Sequence, residues 1–371
     1  MDSLSHFRPA HHFSLIIPCL LLVCGSLLAE EPAPIAEFKA RVGTNTATAI
    51  SADGKFLFTG EDYGQVTLRS AASGTAVHTY MGHTRGVLAA ALLADGKRGV
   101  TCGDDNTVIV WDLATGKRLQ AMHTGDSIPW VMSCSATGVL AATGCNDGQI
   151  MVWDLASGRL VTTLRHPSPL CSLCFSPDSK ILAAGYTDGQ VILWNTAHWS
   201  EAHLLPTADG ASAGALAFSS DSRLLATGNQ NGSGLVWKVA DGTHLSHFAG
   251  YGNPETTPNP PVAPVFPGST ITPENRNAIV FLCFNPDASI LFASIQDNVP
   301  RLWETKTGRL LGTADRFKDS RFYIARYGFT FATAAVTPKR DFIVTLRKNG
   351  DMDDYLAQVW RMSFTPSPPS E

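Results

Sequence analysis

The sequence predicts an all-β fold made of repeated four-stranded units, and regularly spaced tryptophans are the main observation behind this prediction. Six of them recur near the ends of strand-like runs: Trp111, Trp153, Trp194, Trp237, Trp303 and Trp360. The first gaps are 42, 41 and 43 residues, and the last two equal this period plus insertions of about 24 and about 15 residues. Such a period indicates an array of small sheets that cannot bury their faces alone.

Each period contains four short β-rich runs separated by turn residues, as the third unit illustrates. Its runs start at Val131, Val139, Ile150 and Leu160, with Gly138, Gly148 and Gly158 in the turns. In the second unit the third run is apolar on both faces, because Val108 and Val110 alternate with Ile109 and Trp111. If one face of the sheet were exposed to solvent, apolar and polar residues would alternate along the strand instead. These sheets therefore have to be covered on both sides, as sheets stacked around a ring are.

Residues at fixed places in the period resemble the WD-repeat (WD40-type) β-propeller family. They are Gly82 and His83 before one unit, the turns Ser176-Pro-Asp178 and Asn285-Pro-Asp287, and the pairs Trp111-Asp112 and Trp153-Asp154. Seven units fit, with Arg69 at the tryptophan position of the first. The resemblance implies a seven-bladed propeller of four-stranded antiparallel blades over residues 30–362. It implies little about function, because this fold hosts many unrelated activities.

The resemblance also implies a hydrogen-bonded tetrad of His, Ser or Thr, Asp and Trp within a blade. The two complete sets are His83, Thr101, Asp105 and Trp111 in blade two, and His123, Thr143, Asp147 and Trp153 in blade three. Blade four has Ala184 at the hydroxyl position beside His166, Asp188 and Trp194, and blade five has Asn231 for the aspartate beside Thr227 and Trp237. We interpret these groups as structural, because buried polar groups that satisfy one another recur in adjacent blades.

Two insertions interrupt the period, a proline-rich one at about 251–277 and an arginine- and aromatic-rich one at about 315–328. Both fall between blades, on the rim where this architecture places the His and Asp turns. The second insertion contains Arg316, Phe317, Arg321, Phe322, Tyr323, Arg326 and Tyr327. Arginine and aromatic side chains dominate binding hot spots, so we predict a partner-binding site here. The alternative is that these side chains plug the rim over blades six and seven.

The ends of the chain carry separate signals. Residues 1–29 have the basic, apolar and small-residue order of a secretory signal ending at Ala29, and the apolar run is short for a membrane span. Lipidation at Cys24 is a less favoured alternative because Val23 is a poor residue before it. The strand around Phe38 is spare, and the last blade lacks one strand, so we predict that this strand completes blade seven and closes the ring. Residues 363–371 are predicted to be a disordered tail.

Other motifs have simpler interpretations. Cys171 and Cys174 form a C-x-x-C within a strand, where residues three apart point to opposite faces, so packing is favoured over redox or metal chemistry. Gly210-Ala-Ser-Ala-Gly214 matches G-x-S-x-G without the required strand and helix. The acidic run 351–354 lacks the ligand spacing of a calcium loop. We therefore predict no catalytic residue, no metal site and no cofactor; the pairing of the six mature cysteines stays open.

Composition sets the last limits. Charged residues make up 16% of the chain and the net charge is −4, without a basic run, so nucleic-acid binding is disfavoured. We predict an exported, non-catalytic scaffold, monomeric and without a membrane span when mature, that binds protein or peptide on the loop-bearing rim. One alternative is a secreted propeller enzyme of the lactonase or hydrolase kind with a small-molecule site at the central channel. Another is a membrane-tethered scaffold.

Overall fold

The computed structural model describes residues 36–41, 47–61, 63–206, 210–249, 278–295, 301–313, 335–336, 342–348 and 354–361. All of them belong to one compact unit, Pro34–Glu371. The predicted signal, both insertions and the predicted tail lie outside the described residues, as do residues 351–353 of the acidic run. The described residues form strands and turns, and they contain no helix of the length and apolarity needed to cross a bilayer.

The strands group into four-stranded antiparallel sheets, which we number after the predicted blades. Sheet 1 contains β2 (Thr48–Ile50), β3 (Phe56–Gly60), β4 (Gln65–Ser70) and β5 (Ala76–Met81). Sheet 2 contains β6 (Val87–Leu92), β7 (Arg98–Gly103), β8 (Thr107–Asp112) and β9 (Arg118–His123). Sheet 3 contains β10 (Pro129–Cys134), β11 (Leu140–Cys145), β12 (Gln149–Asp154) and β13 (Arg159–Arg165). Sheet 4 contains β14 (Leu170–Phe175), β15 (Ile181–Tyr186), β16 (Gln190–Asn195) and β17 (Ser200–Pro206).

The remaining strands complete three further sheets. Sheet 5 contains β18 (Ala213–Phe218), β19 (Leu224–Asn229), β20 (Ser233–Lys238) and β21 (His244–Ala249). Sheet 6 contains β22 (Ile279–Phe284), β23 (Ile290–Ile295), β24 (Arg301–Glu304) and β25 (Leu310–Thr313). Sheet 7 contains β26 (Ala335–Val336), β27 (Phe342–Lys348), β28 (Asp354–Arg361) and β1 (Ala36–Arg41). In sheet 7, β1 pairs antiparallel with β28, and Phe38 lies opposite Ala357.

The core is distributed between neighbouring sheets rather than collected in one place. Separate clusters of buried apolar side chains join sheets 1 and 2, 2 and 3, 3 and 4, 4 and 5, and 5 and 6. In sheets 2 to 6 the periodic tryptophan packs the sheet onto the preceding one, as Trp111 does with Phe58 and Tyr80 of sheet 1. This arrangement is the physical reason for strands that are apolar on both faces.

First strands lie at the centre of the array and fourth strands at its outside. The first strands of successive sheets pack against one another from β26 through β2, β6, β10, β14 and β18 to β22. In sheets 1 to 4 most residues of the fourth strand are exposed; in β5 only Tyr80 is buried. Side-chain chemistry that reaches solvent is therefore concentrated in the loops and on the outer strands.

Hydrogen bonds at the turns between first and second strands link the sheets. Arg98 Nη2 donates to the Gly138 carbonyl (3.0 Å), and Ser220 Oγ donates to the Pro286 carbonyl (2.6 Å). Ser179 and Ser222 have φ angles of 60° and 62°, the left-handed region that usually selects glycine. Each uses its hydroxyl to accept a backbone N–H from the preceding sheet, at 3.0 Å in both cases. These links run from sheet 2 to sheet 6 and hold the opposite end of the sheets from the histidine turns.

The cysteines in the described residues are all free thiols. Burial raises the pKa of the Cys171 thiol to about 12, so it is a poor nucleophile and a poor metal ligand at neutral pH. No group of three or more His, Cys, Asp or Glu side chains within the described part of the chain is arranged to hold a metal ion. Ser212, the serine of the G-x-S-x-G match, donates its hydroxyl to the Thr187 carbonyl at 2.9 Å, directly before β18.

Candidate functional site

The structure brings the predicted residues of blade two together in a chain of hydrogen bonds. Trp111 Nε1 donates to Thr101 Oγ1 at 2.8 Å, and Thr101 Oγ1 lies 2.8 Å from His83 Nε2. His83 Nδ1 lies 3.0 Å from Asp105 Oδ1. Because a carboxylate only accepts, Nδ1 carries the proton toward Asp105, and in the neutral ring Nε2 accepts from the Thr101 hydroxyl. Every polar side-chain atom of these four residues then has a hydrogen-bond partner.

Asp105 is held in its charged form by the loop around it. Burial by itself would raise the pKa of this carboxyl, but hydrogen bonds from His83, the Thr107 hydroxyl and the Thr84 N–H hold it well below its usual range. The His83 side chain is fully buried and that of Asp105 is 6% exposed. The pair is therefore a closed structural unit that a substrate cannot reach.

Asp105→Asn should change how the free energy of unfolding depends on pH. A carboxyl whose pKa is lower in the folded state adds stability above its unfolded pKa of about 3.9, and this contribution is lost as the pH falls toward the folded pKa. We expect the wild type to exceed the variant by about 1–2 kcal/mol in free energy of unfolding at pH 7, and we expect the difference to shrink below pH ~4. Urea denaturation between neutral pH and pH ~2 measures this; two parallel curves would contradict it.

In sheet 3 the structure does not place His123 in the tetrad. Trp153 Nε1 donates to Thr143 Oγ1 at 2.9 Å, but His123 is exposed at the end of β9. The histidine position lies 22 residues before the aspartate, as in His83 and Asp105, and in sheet 3 this position is Gly125. The predicted role of His123 therefore needs correction, because the residue belongs to the outer strand. Ser127 Oγ, two residues after Gly125, donates to Asp147 Oδ2 at 2.7 Å.

Sheet 4 keeps the histidine and aspartate but loses the hydroxyl between them. His166 Nε2 lies 3.7 Å from Asp188 Oδ2, and the imidazole lies against the Tyr186 ring with centroids 4.1 Å apart. Because Ala184 replaces the threonine, the buried Trp194 Nε1 lacks the hydroxyl that accepts from the tryptophan in sheets 2, 3 and 5. In sheet 5, Trp237 Nε1 donates to Thr227 Oγ1 at 3.2 Å, and Asn231 accepts from Ser233 instead of a histidine. Sheets 3, 4 and 5 thus each lack at least one hydrogen bond of the set found in sheet 2.

Sheet 1 replaces the tetrad with an ion pair. Arg69 stands at the tryptophan position, and its Nη2 lies 3.5 Å from Glu61 Oε1, with both side chains about four-fifths buried. Gln65 Nε2 donates to the same Glu61 oxygen at 3.2 Å and lies 3.3 Å from Thr67 Oγ1. Position 63 corresponds to Asp105 and Asp147 by the 42-residue period. It is occupied by Tyr63, whose side chain is 90% exposed.

An exposed surface of three residues results at the edge of sheets 1 and 2, which we call the Tyr63 surface: Tyr63, Met81 and Arg85. Tyr63 and Met81 (69% exposed) are the most exposed large apolar side chains in the described residues. Met81 ends β5 opposite Gln65, and Gly64 lies against the backbone of Arg85, so the backbones of the three residues lie near one another. Arg85 is 68% exposed and only loosely paired, 3.9 Å from Asp104. Aromatic, methionine and arginine side chains are the types enriched in protein interfaces.

The sequence contained a signal for this surface that the prediction did not use. Tyr63 breaks the series of aspartates at its position, and Arg85 occupies the place where Ser127 and Ser168 donate to the tetrad aspartates of sheets 3 and 4. The predicted partner-binding residues Arg316, Phe317, Arg321, Phe322, Tyr323, Arg326 and Tyr327 lie outside the described residues. Their role stays a prediction.

A comparison with protein families finds the WD domain, G-beta repeat family at residues 74–112, 117–154 and 158–195. These units are WD40 repeats, so the resemblance predicted from the sequence is confirmed. Each repeat starts just before or within the fourth strand of one sheet and ends on the third strand of the next. No curated protein matches the chain in a sequence comparison. WD40 repeats in general form scaffolds for protein interaction.

Proposed function

We propose that this protein is an exported, non-catalytic propeller that binds a protein or peptide on the rim of the histidine turns. The Tyr63 surface is the observation that carries this proposal. An exposed tyrosine and methionine with an arginine nearby are the residue types that protein interfaces use, and the arginine supplies a directional charge. The scaffold role of WD40 repeats supports the same conclusion.

The proposed architecture is a closed ring of seven blades. Its support is the pairing of β1 with β28 and the packing of first strands on one another. Export is inferred from the signal-like order of residues 1–29. The absence of catalysis is inferred from the burial of His83 and Asp105, whose polar atoms are already paired, and from Ser212, whose hydroxyl is bonded to a carbonyl. Binding by the insertion at 315–328 remains part of the proposal, as a prediction from the sequence.

Changing Tyr63 and Met81 together to Ser should weaken a bound protein partner by about 2 kcal/mol, roughly thirtyfold in Kd, because hot-spot residues carry energies of this size. The melting temperature should stay nearly unchanged because both side chains are exposed. The partner is recovered by cross-linking and pull-down with the full chain, and Kd is measured by titration calorimetry.

The matched control changes Leu119 and Leu204 to Ser, since these are exposed apolar side chains on other sheets, at 45% and 50%. Equal loss of binding in both double variants, or none in either, would place the binding site elsewhere.

A further inference from the structure

The outer edge of β5 is an unpaired strand edge next to the Tyr63 surface. Sheet 1 has the order β2-β3-β4-β5, and no hydrogen bond from a described residue outside sheet 1 reaches the backbone of β5. The strand Ala76–Met81 has six residues and contains no Asp, Glu, Lys, Arg or proline. Thr79 and Met81 point to the same side and are exposed, and Val77 is exposed at a register shift in the pairing of β5 with β4.

Proteins usually protect such edges with charges, prolines, short strands or a covering segment. The other six outer strands each have one of these devices. They are Arg118 in β9, Arg159 and Arg165 in β13, Glu201 and Pro206 in β17, the turn at Gly308 against the backbone of β21, the four-residue length of β25, and Glu37, Lys39 and Arg41 in β1. β5 has none of these in the described residues; its one irregularity is a register shift at Val77, and the pairings of β9, β13, β17, β21 and β25 have such a shift as well.

We propose that β5 binds an extended segment of the partner, which adds as a fifth strand to sheet 1. This inference rests on the proposed function and specifies how the Tyr63 surface is used. A free strand edge presents alternating N–H and C=O groups, and only another extended backbone matches this row along its length. Exposed Val77 and Met81 favour β-branched or aromatic side chains on the incoming strand, and the uncharged edge favours a segment without charges in its middle.

The geometry places the Tyr63 surface at one end of this added strand. Met81 belongs to both the Tyr63 surface and β5. Tyr63 lies two residues before Gln65, which is opposite Met81. The backbone of β5 thus supplies affinity along the segment, while Tyr63 and Arg85 contact the residues that leave the edge. This division separates a sequence-tolerant part of the interface from a selective part.

The test uses displayed random peptides selected against the full chain, followed by synthesis of the best binder. Thr79→Lys places a charge in the middle of the edge and should lower the affinity for the peptide by at least about tenfold. Ala121→Lys is the matched control, because Ala121 is exposed at the equivalent register position of β9, opposite Ile109 as Thr79 is opposite Thr67. It should leave the affinity unchanged.

A second measurement does not depend on any protein variant. N-methylation of the peptide at successive residues should weaken binding at every second position only, because alternate N–H groups of a paired strand face its neighbour. Equal affinities of the two lysine variants, or N-methyl effects without this alternation, would overturn strand addition. If the Tyr63 and Met81 double variant still weakens the peptide in that case, the binding rim stands and only the added strand is wrong; if it has no effect either, both proposals fail.

Discussion

Thr101→Val is expected to lower the free energy of unfolding by about 3–4 kcal/mol, because it leaves two buried groups unpaired at about 1–3 kcal/mol each. Valine has nearly the shape of threonine, so packing around the fully buried position changes little. Trp111 Nε1 loses its acceptor, and His83 Nε2 loses its hydroxyl partner. Urea denaturation followed by tryptophan fluorescence measures the change.

Thr143→Val is the matched control in sheet 3. Thr143 is also fully buried, but it accepts only from Trp153, since no histidine lies at position 125. We expect a loss of about 1–2 kcal/mol, the cost of one unpaired indole N–H. A Thr143 variant as unstable as the Thr101 variant would show that His83 adds nothing to the tetrad.

Arg69→Met in sheet 1 is expected to cost about 2–3 kcal/mol, because it leaves the Glu61 carboxylate mostly buried and without its cation. Removal of one member of a fully buried pair costs about 3–5 kcal/mol, and the partial exposure of both side chains reduces this figure. Thermal and urea unfolding of the full chain measure the loss.

The double variant Glu61→Gln with Arg69→Met separates charge from packing. A neutral amide needs no cation and can keep its contact with Gln65, so the double variant should recover at least about 1 kcal/mol relative to Arg69→Met alone. If the double variant is no more stable than Arg69→Met alone, the loss comes from the packing of the aliphatic part of the arginine side chain.

The sequence predicted the strand pattern well because its cause is local and repeated. Val108, Ile109, Val110 and Trp111 lie between two covered faces, and the same pressure acts on every unit. The strand around Phe38 was also placed correctly beside the last strand, since counting strands in each period left one spare.

The site was harder to predict because its residues depart from the repeat. His123 was mistaken for a tetrad residue since histidine occurs near the expected place, whereas the constant spacing of 22 residues from the aspartate leads to Gly125. Tyr63 was not predicted, because a tyrosine near a turn does not recur in the other repeats. In its sheet the Arg69 and Glu61 pair stands in place of the tetrad, and only the structure shows this contact.

The repeats are offset from the sheets by one strand, and this offset affects how the protein unfolds. Since a repeat such as 117–154 gives its first strand to sheet 2 and the next three to sheet 3, no repeat can unfold without taking the outer strand from its neighbour. Open solenoids lose repeats one after another from their ends, because each repeat is a separate unit of folding. Here the loss of any repeat breaks two sheets at once, so the array should melt in a single cooperative transition. A protease should then find either the intact array or an open chain, with few states between them.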